Sequence, residues 1–209
     1  MDLTTLASVK ASPWLAEAAV DWQEGWDAII SYLITARSAD AEQFCNRWFE
    51  KIQRVQYCDG GGPKLFLQCT PISSLVSVKW SLFYDWTLNF LAVPVNSTAG
   101  AAFSPITGEV ILCGGINWYQ GDRTLQVTYI GGYDPPPDDP SNPPDDYVPI
   151  PADLEQAICQ QVAYDFLRKR DLGIKSVSFP DGSIQKNDVG NFLPKVQEAL
   201  GHYRFWFVG

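Results

Sequence analysis

LQVTYIGGYDPPPDDPSNPPDDYVPIPADLEQAICQQVAYDF, from Leu125 to Phe166, changes its hydrophobic period twice. Leu125, Val127 and Tyr129 alternate with Gln126 and Thr128, the period of a strand with one buried face. Tyr133 to Tyr147 then holds six prolines, five aspartates and no aliphatic side chain. Proline lacks the amide donor of helix and ladder, and like charges extend the chain, so this is an exposed acidic loop. From Pro151, a good first helical residue, Leu154, Ile158, Val162 and Phe166 recur at helical spacing. A β region ends here and a helical region begins.

Upstream, the first fifty residues read as helical. Thr4 or Thr5 caps a short helix that runs through Lys10 and ends near Pro13. Asp21 starts a second helix with Glu24 in capping-box position, running to about Asn46. Trp26, Ile29, Ile30, Leu33, Ile34, Phe44 and Trp48 recur at helical spacing and read as one buried stripe. The period then drops to two. Val55 and Tyr57 lead into Asp59-Gly60-Gly61-Gly62-Pro63, read as a hairpin turn with Leu65 and Leu67 on the return. Val76, Val78 and Trp80 form one strand face. Tyr84–Phe90, Glu109–Cys113 and Thr124–Ile130 are further strands, with turns at Thr107-Gly108, Gly114-Gly115 and Gly121-Asp122. Downstream, Arg168, Lys169 and Arg170 close the helix from Pro151, where cations suit the macrodipole, and Gly173 ends the segment. A short hairpin around Asp181-Gly182 precedes a last helix, Phe192–Leu200, capped by Gly201.

The fold class expected is α+β: a small bundle of N- and C-terminal helices with a large antiparallel β insertion. Residues 1–50 and 150–201 form the helical core, 51–133 the β region, 134–149 the acidic loop and 202–209 an aromatic C-terminal tail. The tail, Tyr203-Arg204-Phe205-Trp206-Phe207-Val208, is unusual for a chain end, which is ordinarily polar. In an extended strand Tyr203, Phe205 and Phe207 would face one way. It either completes this chain's own sheet or inserts into a partner.

Composition narrows the function. Of 209 residues, 46% are hydrophobic and 19% charged, normal for a globular chain, and the net charge of −9 argues against a phosphate-gripping surface. The five cysteines, Cys45, Cys58, Cys69, Cys113 and Cys159, are odd in number and contain no CxxC pair. Buried thiols in a reducing compartment fit better than a disulfide or zinc framework. The N-terminus MDLTTLASVK has no basic region followed by an apolar core, so no signal peptide is expected, and no apolar run reaches membrane-span length. His202 is the only histidine; any Ser-His-Asp or Cys-His arrangement would have to centre on it, and nothing near it in sequence suggests that role, so it reads as a bystander. Gly60–Gly62 lack the lysine of a phosphate loop. The loop aspartates Asp134, Asp138, Asp139, Asp145 and Asp146 lack the glycine and terminal glutamate of a calcium loop. No catalytic residue, metal or cofactor is therefore expected. Arg168, Lys169 and Arg170 remain candidates for contact with DNA or a partner. Eight tryptophans also admit a carbohydrate- or protein-binding β module using exposed aromatics. Retention on polysaccharide columns would favour that module.

The order of segments resembles the head–tail connector (adaptor) proteins of tailed bacteriophages. The resemblance is carried by DLTTLASVKASPWL, by the helix ending AEQFCNRWFE, and by YCDGGGPKLFLQCTPISSLVSVKW. It continues in LQVTYIGGY followed by VPIPADLEQAICQQVAYDF, and in SVSFPDGSIQKNDVGNFLPKVQEALGHYR. The chain departs from the compact form of that family in its long β region, 81–117, and in its acidic loop. The resemblance implies a non-enzymatic virion protein in the neck, made in the host cytoplasm, with no membrane contact. It implies a homo-oligomeric ring, commonly dodecameric, below the portal protein, extending the DNA channel and receiving the tail or a stopper protein. DNA would pass through the lumen without specific binding. The family's C-terminal segment reaches the portal, which assigns portal docking to Tyr203–Val208 and leaves the acidic loop for assembly contacts.

Overall fold

The computed structural model describes residues 1–16, 25–80, 91–93, 100–113, 116–118, 120–136, 144–168, 176–178, 184–186 and 192–205. The expected capping box at Asp21 and Glu24, the strand Tyr84–Phe90, the Gly114-Gly115 turn, Gly173 and the Asp181-Gly182 turn lie outside these residues. So do Asp138, Asp139, Lys169, Arg170, Trp206, Phe207 and Val208. The fold is α+β, and the chain divides into two compact units, Met1–Asn46 with Ile150–Gly209, and Arg47–Pro149.

The first unit is helical. Helices α1 (Leu6–Ala11), α2 (Pro13–Ala16) and α3 (Trp26–Cys45) come from the N-terminal part, and α4 (Ala152–Leu167) and α5 (Pro194–Gly201) from the C-terminal part. Thr5 caps α1, its hydroxyl accepting the Ser8 amide at 3.1 Å. The α4 stripe is as read: Leu154, Ile158, Val162 and Phe166 are all buried, against helices that contribute Val9, Leu15, Ile30, Ile34, Val196 and Leu200. Each such side chain contributes roughly 1.5–3 kcal/mol. The α3 stripe differs from the sequence reading. Ile30, Ile34, Ser38, Ala41 and Cys45 are buried, whereas Ile29 is exposed and Trp48 lies beyond the helix, half exposed. Small residues in the second half of α3 bring neighbouring backbone close, and the Ser38 hydroxyl accepts the Leu3 amide at 3.0 Å. Helix α3 stops because Asn46 takes the left-handed conformation, φ 50°.

A buried polar chain ties three helices. Arg37 Nε donates to Asp165 Oδ2 at 2.6 Å, Gln161 Nε2 to Asp165 Oδ1 at 3.1 Å, and the Leu193 amide to Gln161 Oε1 at 2.9 Å. Gln161 is fully buried, so each of these bonds offsets a desolvation cost. The last helix begins at Pro194 and includes Gly201, with His202 as its cap, rather than spanning Phe192–Leu200 with Gly201 as cap. Two short strands, β8 (Ser176–Ser178) and β9 (Ile184–Lys186), pair antiparallel.

The second unit holds β1 (Ile52–Gly60), β2 (Lys64–Phe66), β3 (Ile72–Trp80), β4 (Leu91–Val93), β5 (Ala101–Phe103), β6 (Glu109–Leu112) and β7 (Gly121–Gly131). They form a four-stranded sheet, β1-β7-β3-β4, and a three-stranded sheet, β2-β6-β5. Leu125, Val127 and Tyr129 of β7 face the core, as their alternation requires. Two expectations fail. The glycine turn does not make a hairpin: β1 pairs with β7, and β2 with β6. Gly61 supplies the left-handed turn, φ 105°, but the chain leaves it for the second sheet. Nor is β3 a period-two strand. Its register against β7 shifts twice, so Ile72, Leu75 and Val78 are buried and Val76 is exposed.

The sheets are joined by Gln56 of β1. Its Nε2 donates to the Phe66 carbonyl at 3.1 Å, and its Oε1 accepts the Gln68 amide at 3.0 Å and the Tyr129 hydroxyl at 3.1 Å. Tyr129 in turn accepts the Cys69 amide at 3.1 Å. Cys69 Sγ donates towards the Gly131 carbonyl at 3.1 Å. At Gly131 a Cβ would stand 2.2 Å from the Cys69 oxygen, and Gly132 has φ 114°. The Gly-Gly pair ending β7 is thus dictated by close backbone approach and by a left-handed turn.

Candidate assembly surfaces

The root of the acidic loop is folded onto β1 by one cation. Lys51 Nζ lies 2.9 Å from Asp134 Oδ2 and 3.1 Å from Asp146 Oδ2, and donates to the Asp146 carbonyl at 2.7 Å. Asp134 also closes the loop through its backbone and its carboxylate: its amide donates to the Val148 carbonyl at 2.9 Å, and its Oδ2 accepts the Val148 amide at 2.8 Å. The two ends of a segment expected to be extended by like charge are therefore latched together. Burial works to lower the Lys51 pKa, but its hydrogen bonds and charge contacts with Asp134 and Asp146 outweigh it and hold it above the ordinary 10.5. The Lys51 hydrogen bond and charge hold Asp146 below the ordinary 3.8.

The signs follow. A raised lysine contributes below its unfolded value and is lost as pH rises through its folded value; a depressed carboxylate contributes above its unfolded value and is lost as pH falls through its folded value. The latch is closed between those ordinary values, 3.8 and 10.5. Lys51→Met is expected to raise amide exchange at Asp134 and Val148 about tenfold at neutral pH, the size of a lost charge-assisted contact. Unchanged exchange would mean that the Asp134–Val148 bonds hold the root without Lys51. Asp145 is exposed. Beside the latch a groove of about 590 Å³ is lined by Ile52, Gln53, Ile130, Pro135, Pro144 and Tyr147.

The start of the tail is docked on its own helical unit rather than extended as a strand. After α5 the chain turns, with the Tyr203 amide on the Leu200 carbonyl at 3.0 Å. Tyr203 Oη donates to Asp153 Oδ1 at 2.5 Å. The Phe205 amide donates to the Cys45 carbonyl at 2.8 Å, satisfying an open acceptor at the end of α3. The Arg204 guanidinium lies over the Phe44 ring at 5.6 Å. Arg168 is the C-cap of α4; its Nη1 donates to Tyr164 Oη at 2.6 Å and its guanidinium lies over that ring at 4.9 Å.

The pairing of Trp48 with Arg54 was missed by sequence reading. The Arg54 guanidinium lies 4.7 Å from the centre of the Trp48 ring, which is 47% exposed. Arg54 Nε is buried with no hydrogen-bond partner. No sequence signal marks the pair, because Trp48 follows a helix and Arg54 sits on a strand. The five cysteines are thiols outside any disulfide, and burial pushes the Cys58 thiol up to about 12 and raises Cys159. Cys58 and Cys159 are therefore packing groups, not nucleophiles. Among the described residues no group of three His, Cys, Asp or Glu is placed to hold a metal, and no helix is long and apolar enough to cross a membrane.

No protein-family model and no curated protein matches the chain. Solved structures do match. A chain in the neck of an empty gene transfer agent particle, computed with C6 symmetry, superposes with a TM-score of 0.55 at 13% identity, over 96% of this chain and 92% of that one. A chain of the native gene transfer agent virion gives 0.54 at 14% identity, over 96% and 92%. A chain in the neck of the native particle, computed with C12 symmetry, gives 0.52 at 12% identity, over 98% and 93%. At these identities the likeness is one of fold, and it spans nearly the whole of both chains.

Proposed function

We propose that this chain is a structural, non-enzymatic neck component of a tailed-phage or phage-like particle. The observation that carries the reading is the near end-to-end fold match to chains of gene transfer agent necks, covering 96% of this chain and 92% of the neck chain. The finer reading is a homo-oligomeric ring, with twelve copies as the expected number, seated below the portal, extending the DNA channel and receiving a tail or stopper protein. The net charge of −9 suits a channel wall that DNA must slide past, since releasing few counterions gives little grip on phosphate.

Within that reading Tyr203–Val208 is the portal-facing tail. Its first three residues are positioned by α3 and α4, and the aromatic residues that follow would lie in a portal pocket. Arg168, Lys169 and Arg170 would face a partner or the passing DNA, and the acidic loop a neighbouring protein. Particles made without this protein test the proposal. Electron microscopy is expected to show filled or leaking heads that carry a portal but no tail. Normally tailed, DNA-retaining particles would overturn it.

A further inference from the structure

We infer that the Trp48–Arg54 platform on β1 is the seat of the Pro/Asp loop of a second copy of this chain. The inference rests on the ring reading above and names the contact that would build it.

The platform has the features of a binding surface. β1 is an edge strand of its sheet, and edge strands need a cover. On one side of it lie Ile52, 40% exposed, then Arg54, then Gln56, whose amide reaches the carbonyl of Phe66, itself 43% exposed. Trp48, stacked with Arg54, completes the strip. Arg54 forms no ion pair among the described residues, and its Nε is buried without a partner. An aromatic ring and an arginine, half desolvated and unpaired, are the chemistry of an interface hot spot.

The occupant follows from complementarity. Exposed tryptophan and phenylalanine faces accept proline rings, whose fixed backbone loses little entropy on docking. A guanidinium donates two parallel hydrogen bonds to a carboxylate. The ligand that fits is a segment dense in both proline and aspartate. This chain carries one, with six prolines and five aspartates between Tyr133 and Tyr147. Asp134 and Asp146 are engaged by Lys51, while Asp145 is exposed and forms no ion pair among the described residues. Each copy then carries one seat and one ligand. Such a head-to-tail contact is heterologous and closes into a ring when its rotation divides the circle.

Charge reversal in trans tests it. Three full-length proteins are needed: wild type, Arg54→Glu, and a loop variant with Asp138→Lys, Asp139→Lys and Asp145→Lys. Circular dichroism checks that each folds, and Arg54→Gln serves if Arg54→Glu does not. In sedimentation velocity at low salt the wild type is expected to associate with concentration. Each variant alone should associate about 30-fold more weakly, or less still. A one-to-one mixture should form heterodimers, because the Arg54→Glu chain keeps its loop and the loop variant keeps its platform. Wild type that stays monomeric, variants that associate like wild type, or a mixture without heterodimers (the loop then sitting on its own chain) would each overturn the inference. A protein that enters the neck yet assembles independently of Arg54 would keep the proposed function and remove only this contact.

Discussion

Gly131→Ala is expected to destabilise the β-rich unit by about 3 kcal/mol, the upper end of the usual range for overpacking that only backbone movement relieves. The added Cβ would stand 2.2 Å from the Cys69 oxygen and 3.1 Å from the Pro71 oxygen. Neither atom is the end of a flexible side chain. Gly131 also pairs with Ile52 of β1 and Ile72 of β3, so moving it disturbs two ladders. Gly132→Ala adds a second kind of cost. Its φ of 114° is foreign to residues with a Cβ, and the Cβ would lie 2.6 Å from the Phe49 oxygen and the Glu50 carbonyl. Gly201→Ala is the control: it lies inside α5 with nothing within 4 Å of a Cβ. Alanine there should stabilise by about 0.5–1 kcal/mol through helix propensity. Urea unfolding of the three variants measures this. A Gly131→Ala midpoint equal to wild type would show that the Cys69–Pro71 segment yields freely.

Ending the chain at Gly201 is expected to cost about 2–3 kcal/mol, whereas ending it at Phe205 should leave thermal stability near that of the full chain. The longer cut removes the Tyr203–Asp153 bond, the Phe205–Cys45 backbone bond and the Arg204–Phe44 stack. A net hydrogen bond contributes about 0.5–1.5 kcal/mol, and the partly covered rings add to it. The Cys45 carbonyl, at the end of α3, also loses its partner. Calorimetry on both truncations measures the difference. Equal melting temperatures for the Gly201 cut and the full chain would mean that the tail root is seated without being held.

The elements read well from sequence were those whose signal is local. The α4 stripe needs only Leu154, Ile158, Val162 and Phe166 at helical spacing, and β7 only Leu125, Val127 and Tyr129 at strand spacing. What failed depended on distant partners. Asp59–Pro63 carries good hairpin chemistry, but Gln56 and Tyr129 route β2 into a second sheet. Two register shifts in β3 turn a period of two into a period near three, so Val76 faces out. Ser38, Ala41 and Cys45 are too small or polar to register as a stripe, yet they set how closely α3 packs. Lys51 finds Asp134 and Asp146 at sequence separations of 83 and 95 residues, beyond any local pattern. The tail was legible as a feature because aromatics at a chain end are rare, but the docking of Tyr203–Phe205 on α3 and α4 was not. The resemblance in segment order pointed to neck proteins, whose fold the structure shares, because helix, strand and loop order survive where identity has fallen to 12–14%.

Co-sedimentation with the portal protein encoded in the same genome tests the central claim most directly. It should use the full chain and the chain ending at Phe205, which keeps the docked root of the tail. The full chain is expected to pellet with portal rings in a fixed ratio of copies, and the shortened chain to stay in the supernatant. A full chain that remains in the supernatant at every concentration and salt condition would contradict a place for this protein at the portal.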